Sequence, residues 1–124
     1  MSIPARGYAA VDPKKPLEPF SFVRRDPRAN DVVIDIKYCG ICHSDIHQAR
    51  DEWGGSRFPM VPGHEIAGVV TRVGASVKKF KVGDKVGVGC MVDSCLACEN
   101  CEQDLEQYCL KGMTGTYNSQ ERDG

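Results

Sequence analysis

Several features that would assign a protein to common functional classes are missing from this 124-residue sequence. No apolar run approaches the roughly 20 residues that a transmembrane helix needs. Positive charge is not in excess, because 16 lysines and arginines are balanced by 17 aspartates and glutamates, which gives a net charge of -1. A surface that binds nucleic acid or anionic lipid would need a basic stripe. The composition therefore predicts neither a nucleic-acid partner nor a membrane partner.

The N-terminal segment MSIPARGYAAVDPKKP contains no apolar core, so we do not expect it to be a signal peptide. We therefore expect a cytoplasmic protein whose thiols stay reduced. The chain has seven cysteines, an odd number. In a reducing compartment, clustered cysteines bind a metal more often than they pair as disulfides. The length suits one domain with a modest core, which we place at 1–124.

The apolar pattern predicts a mainly β fold with short helices. Val32, Ile34, Ile36 and Tyr38 alternate with polar residues, which is typical of a half-buried strand. Gly-rich apolar segments within 63–90 predict further strands, with a turn and a short strand between them. Many short strands joined by Gly-rich turns favour an irregular barrel or sandwich.

Other local signals concern the N-terminal region and the helices. The first thirty residues carry four prolines after position 12, which suit turns and edge strands. A short helix is predicted over 44–50, with Ser44 as its N-cap. One or two helical turns are expected within 100–109. Cys39, which follows an apolar strand, is interpreted as a core residue.

Four cysteines follow a regular pattern near the C-terminal end of the sequence. Cys95, Cys98, Cys101 and Cys109 have the spacing C-x2-C-x2-C-x7-C. Zn²⁺ accepts a tetrahedron of four thiolates, and such a closed site is structural. An iron–sulfur cluster is an alternative, but its bacterial pattern ends in C-x3-C-P, whereas here the last gap is seven residues and Leu110 follows. Disulfides are the remaining alternative.

A second cluster of metal-binding and proton-transfer groups lies upstream. The segments CGICHSDIHQ and PGHEIAG contain Cys42, His43, Ser44, Asp45, His47, His64 and Glu65. A thiolate and an imidazole are typical of a catalytic zinc site, which keeps one coordination position open. Helical spacing places Ser44 and His47 on one face. Asp45 lies one turn from Cys42, where its carboxylate could accept the outer N–H of a ligating His64.

Taken together, these motifs resemble a known family. The segments CGICHSD, PGHEIAGVV, VGDKVGVG and CLACENCEQDLEQYC resemble the zinc-dependent, medium-chain alcohol dehydrogenases. The runs GCMVDSC and MTGTYNS are similar to the cinnamyl-alcohol-dehydrogenase and aldehyde-reductase branch. The resemblance extends from about Arg24 to Ser119 and implies a GroES-like β-barrel.

The resemblance also implies roles for single residues. Cys42 and His64 would be ligands of a catalytic zinc, with Glu65 beside the metal as an exchangeable ligand. Ser44 and His47 would form a proton relay. His43 would contact the pyrophosphate of the cofactor. The substrate pocket would be lined by Trp53, Met91 and Tyr117.

The sequence lacks a dinucleotide-binding motif. The nearest glycine pair is Gly87 and Gly89, and Val92 stands where G-x-G-x-x-G needs a third glycine. We therefore expect no Rossmann domain here, and NADP or NAD bound mainly by a domain outside this chain. The resemblance places the third cysteine ligand of the catalytic zinc and the last barrel strands beyond the chain as well. The chain is thus expected to be the N-terminal part of a homo-oligomeric enzyme, with an incomplete barrel.

Three functional hypotheses follow from these signals. In the first, the chain belongs to an enzyme that interconverts primary alcohols and aldehydes by zinc-assisted hydride transfer, with Zn²⁺ at one structural and one catalytic site. In the second, it is a non-enzymatic structural zinc-binding module, which leaves the residues around Ser44 and His47 without a role. A chaperonin-10-like structural barrel is the third, but such a barrel has no need of either cluster.

Overall fold

The computed structural model describes residues 2–122, so the two ends of the domain predicted for 1–124 lie outside the described residues. Short strands dominate, as the sequence predicts. The elements are β1 (Ile3–Ala9), β2 (Glu18–Arg24), β3 (Val32–Gly40), α1 (His43–Ala49), β4 (Glu65–Val73), β5 (Lys85–Val88), β6 (Met91–Asp93) and β7 (Thr114–Gly115), with short 3-10 helices at Cys101–Gln103 and Glu106–Tyr108. Within residues 2–122 the strands form three separate antiparallel sheets, and no barrel closes. The prediction of a mainly β, incomplete barrel is confirmed.

Strands β1 and β2 form a two-stranded sheet of their own. They pair antiparallel from Ile3 opposite Arg24 to Ala9 opposite Glu18. Pro19 lies in β2, which pairs only with β1 among residues 2–122, so its missing N–H interrupts no second ladder there. The edge-strand prediction for this Pro-rich region is confirmed.

Strands β3, β4 and β5 form the central sheet, with β4 in the middle. The two predicted strands within 63–90 are confirmed as β4 and β5. The short strand predicted between them is wrong, because that segment folds into turns. The N–H groups of Val77 and Asp84 close local turns on the Gly74 and Lys81 carbonyls. The Ser76 N–H makes a single bond to the Ala29 carbonyl, which is not part of a strand ladder.

The predicted half-burial of β3 holds only for its first part. Val32 and Ile34 are half-buried, but Ile36 is 55% exposed and Tyr38 is 77% exposed. The ladder with β4 is irregular between Ile36 and Tyr38, and Ile36 reaches an open concavity of about 1230 Å³. The interpretation of Cys39 as a core residue is wrong for the same reason, because this end of β3 borders the concavity and Cys39 is exposed.

A small core joins the first sheet to the loop that leads into β4. Ala10 and Met60 exchange two backbone hydrogen bonds, 2.7 Å and 2.9 Å long, and both residues are buried. Ala9 and Val70 are buried as well, and Val70 lies in the middle strand β4. These contacts hold the 60–64 loop, and therefore His64, against the sheets.

The sheet topology places two functional regions. The last registered pair of β3 and β4 is Gly40 opposite Glu65, so the end of β3 and the start of β4 meet at one corner of the sheet. Helix α1 begins there, at His43. Strands β6 and β7 pair with each other and bracket the cysteine-rich loop.

None of the helices in residues 2–122 has the length and hydropathy needed to cross a membrane.

Candidate metal centres

The loop between β6 and β7 brings the four predicted cysteines together. The Sγ atoms of Cys95, Cys98, Cys101 and Cys109 all lie within 4.8 Å of one another, and none forms a disulfide. Cys98 Sγ lies 3.5 Å from Cys101 Sγ, and Cys95 Sγ lies 3.9 Å from the same atom. Cys101 and Cys109 are buried. The predicted helical turns within 100–109 are confirmed as the two 3-10 helices, which fold the long gap back on itself.

Backbone N–H groups stabilise thiolates in this loop. The N–H groups of Cys101 and Leu110 lower the pKa of Cys98 to about 6. The N–H of Cys95 lies 3.4 Å from Cys109 Sγ and lowers the pKa of Cys109. The loop therefore favours the ionised form that a metal ligand needs at Cys98 and Cys109, whereas burial and the neighbouring thiols raise the pKa of Cys101.

The geometry of the four-cysteine loop fits a zinc ion. Sulfurs placed tetrahedrally at about 2.3 Å from Zn²⁺ are about 3.8 Å apart. The observed separations of 3.5 Å and 3.9 Å fall on either side of that value. A fixed polar partner is present as well, because the buried Ser94 hydroxyl lies 3.4 Å from Cys101 Sγ. Sequence reasoning missed Ser94, since a serine beside a cysteine has no characteristic spacing.

The second cluster forms at the corner where β3 ends and β4 begins. Ligand atoms of Cys42, His64 and Glu65 lie within 4.8 Å of one another. Cys42 and His64 are partly buried, whereas Glu65 is exposed. Gly40 makes room for the carboxylate, because a Cβ at that position would collide with Glu65. One thiolate, one imidazole and one carboxylate fit an open zinc site.

Asp45 connects the two partly buried groups of this cluster. Its Oδ2 accepts a hydrogen bond of 2.9 Å from the Cys42 N–H, and its Oδ1 lies 3.5 Å from His64 Nδ1. Asp45 is buried, and its Oδ1 has no hydrogen-bond partner in the described part of the chain. Because Nδ1 of His64 faces Asp45, Nε2 is the nitrogen left to bind a metal.

Ser44 differs from its predicted place in the helix. The N-cap of α1 is Cys42, because the Asp45 carboxylate three residues on accepts the Cys42 N–H, so the prediction of Ser44 as the cap is wrong. The Ser44 hydroxyl instead donates to Cys42 Sγ at 3.2 Å. Its hydroxyl and its backbone N–H lower the pKa of the Cys42 thiol. Ser44 thus lies next to the Cys42 thiol, one of the three groups of the Cys42, His64 and Glu65 cluster.

His47 lies one turn further along α1 and contacts Glu52. Its Nδ1 makes a short contact with the Glu52 carboxylate, which lowers the pKa of Glu52. The His47 ring is stacked between His43, at a centroid distance of 4.6 Å, and Trp53, at 4.7 Å. No hydrogen bond joins Ser44 and His47 within residues 2–122. Glu52 was not predicted, because it follows the end of α1 and its five-residue spacing from His47 matches no helical face.

The three predicted pocket residues lie in different places. Tyr117 lines the open concavity and stacks on His64, with ring centroids 5.6 Å apart. Burial and the nearby Asp45 carboxylate raise the pKa of Tyr117 to about 12. Trp53 is exposed and covers His47, and Met91 is half-buried in β6 opposite Gly115. Neither Trp53 nor Met91 lines the concavity.

A β domain that carries a closed four-thiolate cluster and an open Cys/His/Glu cluster has the design of a catalytic domain in a zinc-dependent dehydrogenase. The chain belongs to the alcohol dehydrogenase GroES-like domain family, whose model matches residues 28–122.

Curated relatives share more than half of the aligned residues. NADP-dependent alcohol dehydrogenase C of Mycobacterium tuberculosis is 56% identical over 117 residues, which are 94% of this chain and 34% of the relative. Aldehyde reductase YahK of Escherichia coli is 58% identical over 114 residues, or 92% of this chain and 32% of the relative. The chain therefore spans about a third of the length of the curated relatives that it matches.

Solved structures agree in fold. The cinnamyl alcohol dehydrogenase SbCAD4 of Sorghum bicolor superimposes with a TM-score of 0.93 and 47% identity, covering 98% of this chain and 34% of that one. A structure of CAD from Helicobacter pylori complexed with NADP(H) gives a TM-score of 0.92 and 49% identity, with 96% and 34% coverage. Both structures share the fold of this chain, and both belong to the cinnamyl-alcohol-dehydrogenase branch that the sequence motifs predict.

Proposed function

We propose that this chain supplies the metal-binding part of an NADP-dependent alcohol dehydrogenase or aldehyde reductase that interconverts primary alcohols and aldehydes. The observation that carries the proposal is the meeting of Cys42, His64 and Glu65 at one corner of the central sheet. A structural module would need only the four-cysteine loop. The NADP-dependent alcohol dehydrogenase C and the CAD bound to NADP(H) among the relatives favour NADP over NAD.

Cys42, His64 and Glu65 would hold the catalytic zinc, and the four cysteines of the loop would hold the structural zinc. When bound, zinc would polarise the substrate oxygen, and the nicotinamide would exchange a hydride with the adjacent carbon. The chain's own contribution is to position these groups. Asp45 accepts the Cys42 N–H and lies 3.5 Å from His64 Nδ1, so it links the residue that carries the thiolate to the imidazole.

Ser44 and His47 would move the proton of the alcohol. The Ser44 hydroxyl lies against Cys42 Sγ, so a substrate oxygen at the open cluster would come within its reach. His47 would carry the proton on toward solvent, and its Nδ1 contacts the Glu52 carboxylate. The two side chains are not bonded to each other in this structure, and catalytic hydrogen bonds often tighten only when substrate is bound.

The stacked rings and the concavity would bind the organic parts of the reactants. His43 is exposed at the start of α1, where it could contact the cofactor pyrophosphate. Trp53, Met91 and Tyr117 remain candidates for the substrate pocket. Clustered cysteines that form no disulfide fit a reducing compartment, which supports a cytoplasmic location. The whole enzyme would be a homo-oligomer.

A chimera tests this function. Residues 2–122 would replace the matching N-terminal segment of aldehyde reductase YahK, to which this chain is 58% identical. The chimera should contain two zinc ions per chain and reduce aldehydes with NADPH. Cys42→Ser should abolish turnover, while Cys90→Ser, at an exposed cysteine outside both clusters, should leave turnover unchanged. A folded chimera that contains one zinc and lacks activity would favour the structural zinc-binding module instead.

A further inference from the structure

We infer that Tyr117 is a positioning residue whose aromatic ring fixes the plane of the His64 imidazole at the open cluster. This inference rests on the proposed zinc site and goes beyond the substrate-pocket role suggested for Tyr117. The two rings lie 5.6 Å apart between centroids and are inclined by 8°. Tyr117 therefore covers one face of the imidazole with a nearly parallel ring.

His64 needs such a support, because its polar contact with Asp45 is long. The separation between His64 Nδ1 and Asp45 Oδ1 is 3.5 Å, and Asp45 Oδ1 has no hydrogen-bond partner among residues 2–122. One long contact restrains the position of a single ring nitrogen. It does not stop the imidazole from rotating about the line between the two residues. A ring packed against the imidazole face restricts that rotation.

The segment that carries Tyr117 is fixed by hydrogen bonds of the residues directly before and after it. Thr116 donates its N–H to the Cys90 carbonyl at 3.2 Å and its hydroxyl to the Gly89 carbonyl. Asn118 donates to Gln48 Oε1 at 2.9 Å, and its Oδ1 accepts the Arg57 N–H at 2.8 Å. The segment 116–118 is thus bonded both to Gly89 and Cys90, just before β6, and to helix α1. Tyr117 is therefore a fixed support, not a mobile pocket wall.

Two substitutions separate the ring from its hydroxyl. Tyr117→Leu removes the aromatic face, and Tyr117→Phe keeps it. Tyr38→Leu, at a tyrosine that is 77% exposed, is the matched control. The chain has three histidines, so the ring protons of His64 can be resolved by long-range ¹H–¹⁵N NMR. Zinc affinity at each cluster is measured separately by chelator competition.

In the wild type, the ring protons of His64 should show the upfield shift that a stacked aromatic ring causes. Tyr117→Leu should lose this shift and bind zinc at the open cluster about 10-fold to 100-fold more weakly, the usual cost of losing a group that orients a ligand. Tyr117→Phe and Tyr38→Leu should keep both properties. Zinc at the four-cysteine loop should be unchanged in all variants, which controls for folding.

Three results would overturn the inference. Tyr117→Leu could bind zinc at the open cluster as tightly as the wild type, or Tyr117→Phe could lose as much affinity as Tyr117→Leu. The wild-type His64 protons could also lack the upfield shift. A wild-type chain that binds zinc only at the four-cysteine loop would contradict the proposed catalytic site instead, so the two failures are distinguishable.

Discussion

Gly40 and Glu65 face each other as the last registered pair of β3 and β4, and the Glu65 carboxylate occupies the space that a Gly40 side chain would fill. Cys42 follows Gly40 by two residues and His64 directly precedes Glu65. This one strand pairing therefore brings the thiolate, the imidazole and the carboxylate together. It also makes a backbone position on β3 a determinant of where the Glu65 carboxylate lies.

Gly40→Ala should therefore weaken the open cluster selectively. The new Cβ meets the flexible end of Glu65, so the carboxylate should swing away while the strands stay paired. In the wild type, a chelator should remove one zinc early from the open cluster and one late from the four-cysteine loop. Gly40→Ala should release the early zinc at roughly tenfold lower chelator concentration and leave the late zinc unchanged.

The control for this experiment is Gly89→Ala, because a Cβ there meets no atom within 4 Å. If Gly40→Ala and Gly89→Ala release zinc identically, Glu65 is not a ligand. A wild type that releases both zincs in a single step would contradict the difference between the two clusters.

Cys98→Ser should abolish zinc binding at the four-cysteine loop, because three thiolates and a hydroxyl no longer form a tetrahedron of sulfurs. Without the metal, the loop should lose its order. Elemental analysis should show one zinc per chain fewer than in the wild type. Cys90→Ser is the matched control, since Cys90 is exposed and lies outside both clusters. Iron in the purified wild type, or full zinc content in Cys98→Ser, would show that the zinc assignment is wrong.

The proton relay can be tested in the YahK chimera. Ser44→Ala should lower turnover by most of the roughly 10²–10⁴-fold that a positioned proton-transfer group contributes. His47→Gln should cost less, because water can replace the solvent end of the relay. Its deficit should be largest at low pH and should be partly rescued by small exogenous bases. Neither variant should lose zinc.

Glu52→Gln completes the relay test. It removes the carboxylate that contacts His47 Nδ1, so the imidazole loses its partner and turnover should fall toward that of His47→Gln. Wild-type turnover of Glu52→Gln would show that Glu52 has no part in the relay. Near-wild-type turnover of Ser44→Ala, with hydride transfer limiting the rate, would exclude Ser44. Loss of zinc in His47→Gln would make His47 a ligand.

A stability test follows from Asp31, whose pKa is lowered mainly by the Arg25 guanidinium and also by the Arg28 N–H at 2.7 Å. A carboxylate with a depressed folded-state pKa adds stability above its unfolded pKa of about 3.9, and this stability is lost as pH falls through the folded value. Asp31→Asn should therefore lower Tm slightly at neutral pH, and the difference should vanish well below pH 4. Asp35→Asn, at an exposed carboxylate paired with Lys37, should change Tm less. A Tm difference that persists at low pH would refute the ionic origin.

What the sequence by itself determined is local. Cys95, Cys98, Cys101 and Cys109 lie within 15 positions, so their spacing alone predicts a shared site. The alternation in β3 and the Gly-rich segments likewise predicted strands, because a strand's two faces repeat every two residues. The family resemblance then named Cys42, His64 and Glu65 from their flanking motifs.

Only the tertiary structure decided which distant groups meet. Gly40 faces Glu65 through the β3–β4 register, Glu52 turns back onto His47 after α1 ends, and Tyr117 reaches His64 because segment 116–118 is bonded to two other elements. The exposure of Ile36 and Cys39 could not be predicted either, because the same alternating pattern serves a strand whether or not another layer covers it. These outcomes depend on register, loop path and packing, and none of them has a fixed period or spacing in the chain.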